Sequence, residues 1–302
     1  MKAVPDQVGL GVAKKSDDIG MKRGRVLAQL PPAQQLDVIA EGLPILLKSA
    51  DDLLLAAEQL TGHPRAASIL EGHATEELAK ILILVDIVRC PANVRAGLIG
   101  TMFRWFYDHL ARLIYADAQS WKPMNIDQLQ TYVDSNRRSH TLEGYAGEYI
   151  LPNWTLFSRE AHLYADIVTH EDGVPMWNEP LSSPALFPGR RPGIWAIAKA
   201  LTDMGALTRP GLDIVAEVWG GVDFVGSADH YGTARRLTRE MLEKLDAAGL
   251  ITDAAIEGQI GILSNDWQLP MYRINFKRIE VSLDDLRREQ DAAMWAEFGD
   301  QG

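Results

Sequence analysis

The feature that most constrains the fold is a repeat of apolar residues at spacings of three and four between residues 65 and 89. Such spacing places side chains on one face of a helix, so the segment is predicted to form a single amphipathic helix that packs against other helices. Its apolar stripe consists of Leu70, Ala74, Leu78, Ile81, Val85 and Val88. Glu77 falls on this stripe, whereas Glu76 is predicted to face elsewhere and to pair with Lys80 at the favourable i,i+4 spacing.

A helical hairpin is predicted in the first third of the chain. A helical pattern from Leu36 to Leu60 precedes the amphipathic helix, and only the turn Thr61-Gly62-His63-Pro64 separates the two. A connection this short predicts antiparallel packing. Pro44 is predicted to split or kink the first helix. Further helices are predicted at about 94–118 and 155–168, with a short helix and an irregular excursion between them.

The second half of the chain is predicted to contain two helix-turn-helix units. In each unit a glycine ends one helix and a threonine begins the next, and the pairs are Gly205 with Thr208 and Gly249 with Thr252. Residues 271–281 alternate as in a strand, and Ser282 with Asp285 forms a capping box that opens a last helix. A winged-helix DNA reader could use such parts, but the basic recognition helix that it needs is absent.

The predicted elements indicate an all-α protein, and its composition allows it to bury a large core. The chain has 302 residues, of which 47% are hydrophobic. We expect a basic, partly ordered arm at 1–35, a helical bundle at 36–180, a proline- and glycine-rich connector at 181–193, and a helical region with one strand at 194–302. The single cysteine allows no intrachain disulfide, and the N-terminus shows no signal-type apolar segment. A cytoplasmic protein without membrane contact is therefore expected.

Charge separates the N-terminal arm from the rest of the sequence. The net charge of −11 argues against a general nucleic-acid coat protein. The first 30 residues nevertheless contain six Lys or Arg against three Asp, so the remainder is strongly acidic. A solvated terminus is one interpretation of this arm, and a segment that steers phosphate groups is the other.

Arg104 and His109 form the most informative pair of polar residues for chemistry. Each residue turns a straight helix by 100°, so these two side chains would point about 140° apart on the predicted helix at 94–118. Two structural interpretations stay open, namely a surface ion pair between Arg104 and Asp108, and a hydrogen-bonded core histidine at position 109. Glu71 and His73 lack the paired Glu-x-x-His pattern of bundle metal sites, so no metal site is predicted.

Several segments between about residues 40 and 180 occur in an order and at spacings that match a known family. These segments are Asp51, Asp52 and Glu58; Glu76-Glu77-Leu78-Ala79-Lys80; Asp108-His109-Leu110-Ala111-Arg112-Leu113; Arg159-Glu160-Ala161-His162-Leu163-Tyr164-Ala165-Asp166; Asp172-Gly173; Trp177; and Pro180. Together they resemble the HEPN superfamily of helical bundles and, within it, the AbiV-type abortive infection family.

The resemblance implies a HEPN-like antiparallel bundle with a mainly helical C-terminal extension. It also implies a homodimer and metal-independent, cofactor-free RNA cleavage by Arg104 and His109. The residues that would support this pair are Glu76, Glu77, Lys80, Asp108 and Arg112. An Arg from one protomer and a His from the other, meeting at a two-fold axis, would remove the geometric objection.

Two functions remain open for a protein of this kind. The first is a phage-defence toxin that acts on RNA. The second is a non-catalytic interaction protein of the same fold, which blocks phage or host translation by binding a protein or ribonucleoprotein partner. Trp105 bears on this choice, because active HEPN sites usually have a polar residue after the Arg.

Overall fold

The computed structural model describes Gly24 and residues 26–169, 174–182 and 191–299, and most of these residues are helical. The helices of the first half are α1 (Pro32–Gln59), α2 (Pro64–Arg89), α3 (Ala92–Tyr107), α4 (His109–Ala118), α5 (Ile126–Asn136) and α6 (Trp154–Leu163). Those of the second half are α7 (Gly193–Asp203), α8 (Arg209–Trp219), α9 (His230–Ala247), α10 (Glu257–Asn265) and α11 (Leu283–Gly299). The all-α prediction is confirmed at this level.

Two small antiparallel sheets interrupt the helices. One pairs β1 (His140–Glu143) with β2 (Tyr149–Pro152), and the other pairs β3 (Asp166–Thr169) with β4 (Pro175–Asn178). The helix predicted at about 155–168 therefore ends at Leu163, and the chain continues into the second hairpin. Both hairpins lie where the sequence predicted helix or irregular structure.

Helix α2 is the centre of the core. It packs antiparallel on α1, as predicted, and it also contacts α3, α4, α6, α7 and α8. All its residues from Leu78 to Arg89 except Lys80 are buried, so helices from both halves of the chain share one core. Cys90 follows directly and is fully buried, and this burial raises the pKa of its thiol to about 12.

Helix α1 runs without interruption through Pro44, so of the two predicted effects of this proline, a split or a kink, the split does not occur. A proline removes one backbone hydrogen bond, but the buried side chains of Leu43 and Leu47 anchor the helix to the core on both sides of it. Tertiary packing therefore outweighs the local penalty.

The single helix predicted at 94–118 is in fact two helices. Asp108 has extended backbone angles, with φ −91° and ψ 123°, and its Oδ1 accepts a hydrogen bond of 2.9 Å from the amide of Ala111. This is an N-cap, so a new helix begins at His109. The 140° separation of Arg104 and His109 assumed a straight helix, and it does not apply here.

The first helix-turn-helix unit forms as predicted. Gly205 has a positive φ of 76° between α7 and α8, and the Thr208 hydroxyl accepts a hydrogen bond from the Gly211 amide at the start of α8. In the second unit Gly249 also has a positive φ, but Thr252 does not cap α10. Its hydroxyl donates instead to the Asp203 carbonyl oxygen.

The strand predicted at 271–281 does not form. Met271, Ile274 and Phe276 are buried, but the segment contains turns and only an isolated bridge to another part of the chain. The alternation reflects burial on one side of an irregular segment rather than strand pairing. The Ser282 cap of the last helix is confirmed, because the Asp285 amide donates to the Ser282 hydroxyl. The box is not reciprocal, since the Asp285 carboxylate accepts from the Ser282 hydroxyl and not from its backbone amide.

Some predictions fall outside the described residues. These are most of the basic arm (1–23), residues 183–190 of the connector, and the Asp172-Gly173 segment. No helix in the described ranges is long and apolar enough to cross a bilayer.

Candidate active site

Glu76, not Glu77, is the buried carboxylate of α2. Glu76 is 4% exposed, whereas the Glu77 side chain is 21% exposed and pairs with Lys80 at 2.5 Å. The prediction that Glu76 pairs with Lys80 is therefore wrong. The buried face of α2 is wider than the apolar stripe in the sequence indicated, because helices pack on several sides of α2.

Three nitrogen donors from two other helices converge on Glu76. His109 Nδ1 and Arg112 Nη2, both on α4, lie 2.7 Å from Glu76 Oε2. Arg159 Nε, on α6, lies 2.9 Å from Oε1. Because α4 begins at His109, residues 109 and 112 share the face of its first turn. We call Glu76, His109, Arg112 and Arg159 the open cluster.

The geometry selects one tautomer of His109. Nδ1 also lies 2.7 Å from Arg112 Nη2, and it cannot accept a hydrogen bond from the guanidinium while donating one to the carboxylate. An ionised Glu76 needs donors, so Nδ1 carries the proton and both nitrogens donate to Oε2. This leaves Nε2 as a base on a side chain that is 53% exposed.

The open cluster carries excess positive charge. Burial alone would raise the pKa of Glu76, but Arg112, Arg159 and His109 together outweigh burial and lower it. One carboxylate faces two guanidinium groups, of which Arg112 is only 8% exposed and Arg159 is 20% exposed. The remaining positive charge lies beside the exposed imidazole and suits an anionic ligand.

Arg104 lies outside the open cluster. It is exposed, and its Nη2 donates to Thr101 Oγ1 at 2.9 Å within the same helix. The alternative ion pair with Asp108 is not present, because Asp108 caps α4 instead. Trp105 is a core residue, 7% exposed, and it packs edge-on against Phe276.

A second ionic cluster lies further along α2 and is sealed from water. Asp86 and Arg89 are each 1% exposed and form an ion pair. Asp86 Oδ2 accepts hydrogen bonds from Tyr115 Oη at 2.5 Å and from the Met271 amide at 2.7 Å. The Arg89 guanidinium donates to the Gln268 carbonyl oxygen and lies over the rings of Trp219 and Trp267, which contact each other edge to face. We call Asp86, Arg89 and Tyr115 the sealed cluster.

The structure thus brings together three of the predicted site residues, Glu76, His109 and Arg112, with Asp108 as the cap that orients two of them. Arg159 was not predicted as a site residue. A signal for it existed in the sequence, since Arg159 and His162 are three residues apart on one helix and belong to a segment that carries the family resemblance. No group of three His, Cys, Asp or Glu side chains in the described part of the chain could hold a metal.

Comparisons of this chain with protein-family models, with curated proteins and with solved structures find no match.

Proposed function

We propose that the protein is a HEPN-type, AbiV-like phage-defence ribonuclease that cleaves RNA without a metal ion. The observation that carries this proposal is the pair formed by the exposed His109 and the buried Glu76, at 2.7 Å. A carboxylate that fixes Nδ1–H leaves the Nε2 lone pair free to accept a proton, which is the arrangement that general-base catalysis requires. The excess positive charge of Arg112 and Arg159 supports binding of a phosphodiester at the same place.

RNA supplies its own nucleophile, so the chemistry needs only proton transfers. His109 Nε2 takes the proton of a ribose 2′-hydroxyl, and O2′ forms a bond to phosphorus. The bond from phosphorus to O5′ breaks, and O5′ receives a proton as it leaves. The products are a 2′,3′-cyclic phosphate and a 5′-hydroxyl end. The guanidinium groups stabilise the charge on the phosphoryl oxygens.

In-line displacement favours a dimeric enzyme. O2′ and O5′ lie on opposite sides of phosphorus, so a single imidazole cannot easily serve both ends. A second protomer across a two-fold axis would bring a second His109, protonated at Nε2, to give that proton to the leaving O5′, and would bring Arg104 toward the same phosphate. Light scattering at micromolar concentration should then give twice the mass of one chain. A single-chain mass at all concentrations would remove this arrangement.

The test of the function is cleavage of structured RNA by purified protein in the presence of a chelator. His109→Ala should lower the rate by at least about 100-fold, because it removes the general base. His63→Ala is the matched control, since His63 is exposed at the start of α2 and makes no capping hydrogen bond through its side chain. The products should carry 2′,3′-cyclic phosphate ends, and a 2′-deoxy nucleotide at the cleaved position should block the reaction.

The alternative is a non-catalytic protein that stops infection by binding a phage or translation component. The observation that favours it is the β3–β4 hairpin, on which Trp177 is 74% exposed and Met176 is 49% exposed. RNA that stays intact at high protein excess would support this alternative. Cleavage that His109→Ala leaves unchanged would remove His109 from the mechanism.

A further inference from the structure

A cavity of about 440 Å³ opens beside the open cluster and is lined by residues of α2, α4, α5 and α6. Glu76 and Arg159 form part of its wall, so the guanidinium that binds the carboxylate also borders the cavity. This volume lies within the range of ~300–1,000 Å³ that is usual for small-molecule sites. A ligand in the cavity would therefore lie directly beside the charged groups.

An exposed aromatic side chain lines the cavity, on a backbone that is fixed by hydrogen bonds. Trp154 is 58% exposed, although it is the first residue of α6. The buried Asn153 before it accepts a hydrogen bond from the Leu156 amide and donates to the carbonyl oxygens of Asn136 and Arg138, at 2.7 and 2.6 Å. An exposed indole on so firmly held a backbone is suited to stacking against a flat ring.

The cavity wall also offers hydrogen-bond acceptors. His162 Nδ1 lies 2.6 Å from the Ser158 carbonyl oxygen, so Nδ1–H donates to it and Nε2 is left as an acceptor. Asn136 donates through Nδ2 to the Tyr132 carbonyl oxygen, which leaves its Oδ1 as a second acceptor. The Asp117 carboxylate, which accepts a hydrogen bond from the Tyr132 hydroxyl, is a third acceptor in the wall. An indole, these acceptors and a guanidinium together match a nucleobase with an exocyclic amine, attached to a phosphorylated ribose.

We propose that this cavity binds a nucleobase of the RNA strand next to the cleaved phosphate, with the base stacked on Trp154 and its phosphate toward Arg159. The proposal rests on the proposed ribonuclease function. It adds to that function a place where the substrate strand is held and a reason for selectivity among bases. A free nucleotide offers the same chemistry, and the experiment distinguishes the two.

The test measures binding of a fluorescently labelled single-stranded RNA of about eight nucleotides, a length typical of such sites, by anisotropy. All variants carry His109→Ala, so that the probe stays intact. Trp154→Ala should weaken binding by about tenfold, because it removes the stacking surface. Trp154→Phe should retain most of the affinity, and Trp295→Ala should leave it unchanged, since Trp295 is 76% exposed but does not line this cavity.

Unchanged affinity in Trp154→Ala, or no binding by the parent protein, would overturn the proposal. A 5′-mononucleotide that binds as tightly as the oligonucleotide, and does so through Trp154, would overturn the assignment to an RNA strand. Trp154-dependent binding without any cleavage by wild-type protein would sink the ribonuclease function but keep the cavity assignment. Cleavage with the same KM in wild type and Trp154→Ala would support the ribonuclease function and overturn the cavity assignment.

Discussion

Glu76 and Asp86 are carboxylates of α2 that lie ten residues apart, and they differ in how they pair with arginines. In the sealed cluster, Asp86 and Arg89 balance each other in charge, and both are closed off from water by aromatic rings. In the open cluster, Glu76 faces two arginines, and the half-exposed His109 completes its hydrogen bonds. The same helix therefore holds one balanced pair within the core and one unbalanced group at the edge of a cavity.

The difference separates a structural role from a chemical one. A balanced, sealed pair has no charge or lone pair left for a ligand, so its contribution is to join α2 to α4 and to the segment around Gln268 and Met271. The open cluster keeps a positive charge and an exposed imidazole, at the cost of a less complete enclosure. The comparison can be tested by removing one charge at a time.

The largest effect on stability should come from Asp86→Asn. The substitution keeps the shape but leaves the Arg89 guanidinium buried without a counter-charge, which should lower the free energy of unfolding by ~3–5 kcal/mol. Urea denaturation measures this, and soluble yield replaces it if the variant does not fold. Asp86→Asn combined with Arg89→Met should be more stable than Asp86→Asn alone. An unchanged urea midpoint for Asp86→Asn would contradict the sealed-cluster interpretation.

Glu76→Gln should have a smaller effect, about 1–3 kcal/mol on the same scale, because solvent reaches the cluster through His109 and Arg159. It should also abolish RNA cleavage, since the amide offers only one acceptor oxygen and no charge to the three donors that face this position, so the imidazole is no longer held in one orientation. Glu77→Gln is the matched control, because Glu77 is the neighbouring, partly exposed carboxylate, and it should cost at most about 0.5 kcal/mol. Equal losses of stability and of cleavage in Glu76→Gln and Glu77→Gln would contradict the assignment of Glu76 as the carboxylate of the open cluster.

The contribution of Glu76 should depend on pH in a defined direction. Its pKa in the folded protein is lowered from the ordinary value of 4.5, so its stabilising effect is fully present above pH 4.5. That effect should be lost as the pH falls from 4.5 through the lower folded pKa. The difference in unfolding free energy between wild type and Glu76→Gln should therefore shrink at acid pH. A difference that grows on acidification would contradict the assignment.

The smallest effect on stability should come from His109→Ala, at most about 0.5 kcal/mol, because this side chain is 53% exposed. The same variant should show the largest loss of cleavage. Tyr115→Phe offers the matched contrast in the sealed cluster, since it removes a buried hydroxyl that donates to Asp86, and should cost ~1–3 kcal/mol. A His109→Ala variant less stable than Tyr115→Phe would indicate a structural histidine.

Local sequence signals predicted the elements well where a cap or a period defines them. The period of α2, the turn before Pro64, and the caps at Thr208 and Ser282 all appear in the structure. The break at Asp108 was missed, although an Asp that can cap the following helix stood in the sequence. Capping competes with helix continuation, and the apolar period continues across residues 94–118, so the pattern alone favoured one helix.

The open cluster depends on contacts that no local pattern carries. Glu76 and Arg159 are 83 residues apart in the chain, and they meet because α2 and α6 pack together. Which of Glu76 and Glu77 is buried follows from the number of helices around α2, since a helix that is enclosed on several sides has a wide buried face. At residues 271–281 a local pattern is present but misleading. Burial alternates there as in a strand, yet no neighbouring strand pairs with the segment.

The reactivity of Cys90 can report on local opening of the folded protein. Its thiol is fully buried at the end of α2, one residue beyond the sealed cluster, and its pKa of about 12 keeps it protonated at neutral pH. A thiol-directed reagent therefore reacts with this position only in molecules in which the packing around the end of α2 has opened. The rate of labelling therefore measures how often this region opens. In the closed state the native thiol does not react, so dyes can be attached to cysteines introduced elsewhere.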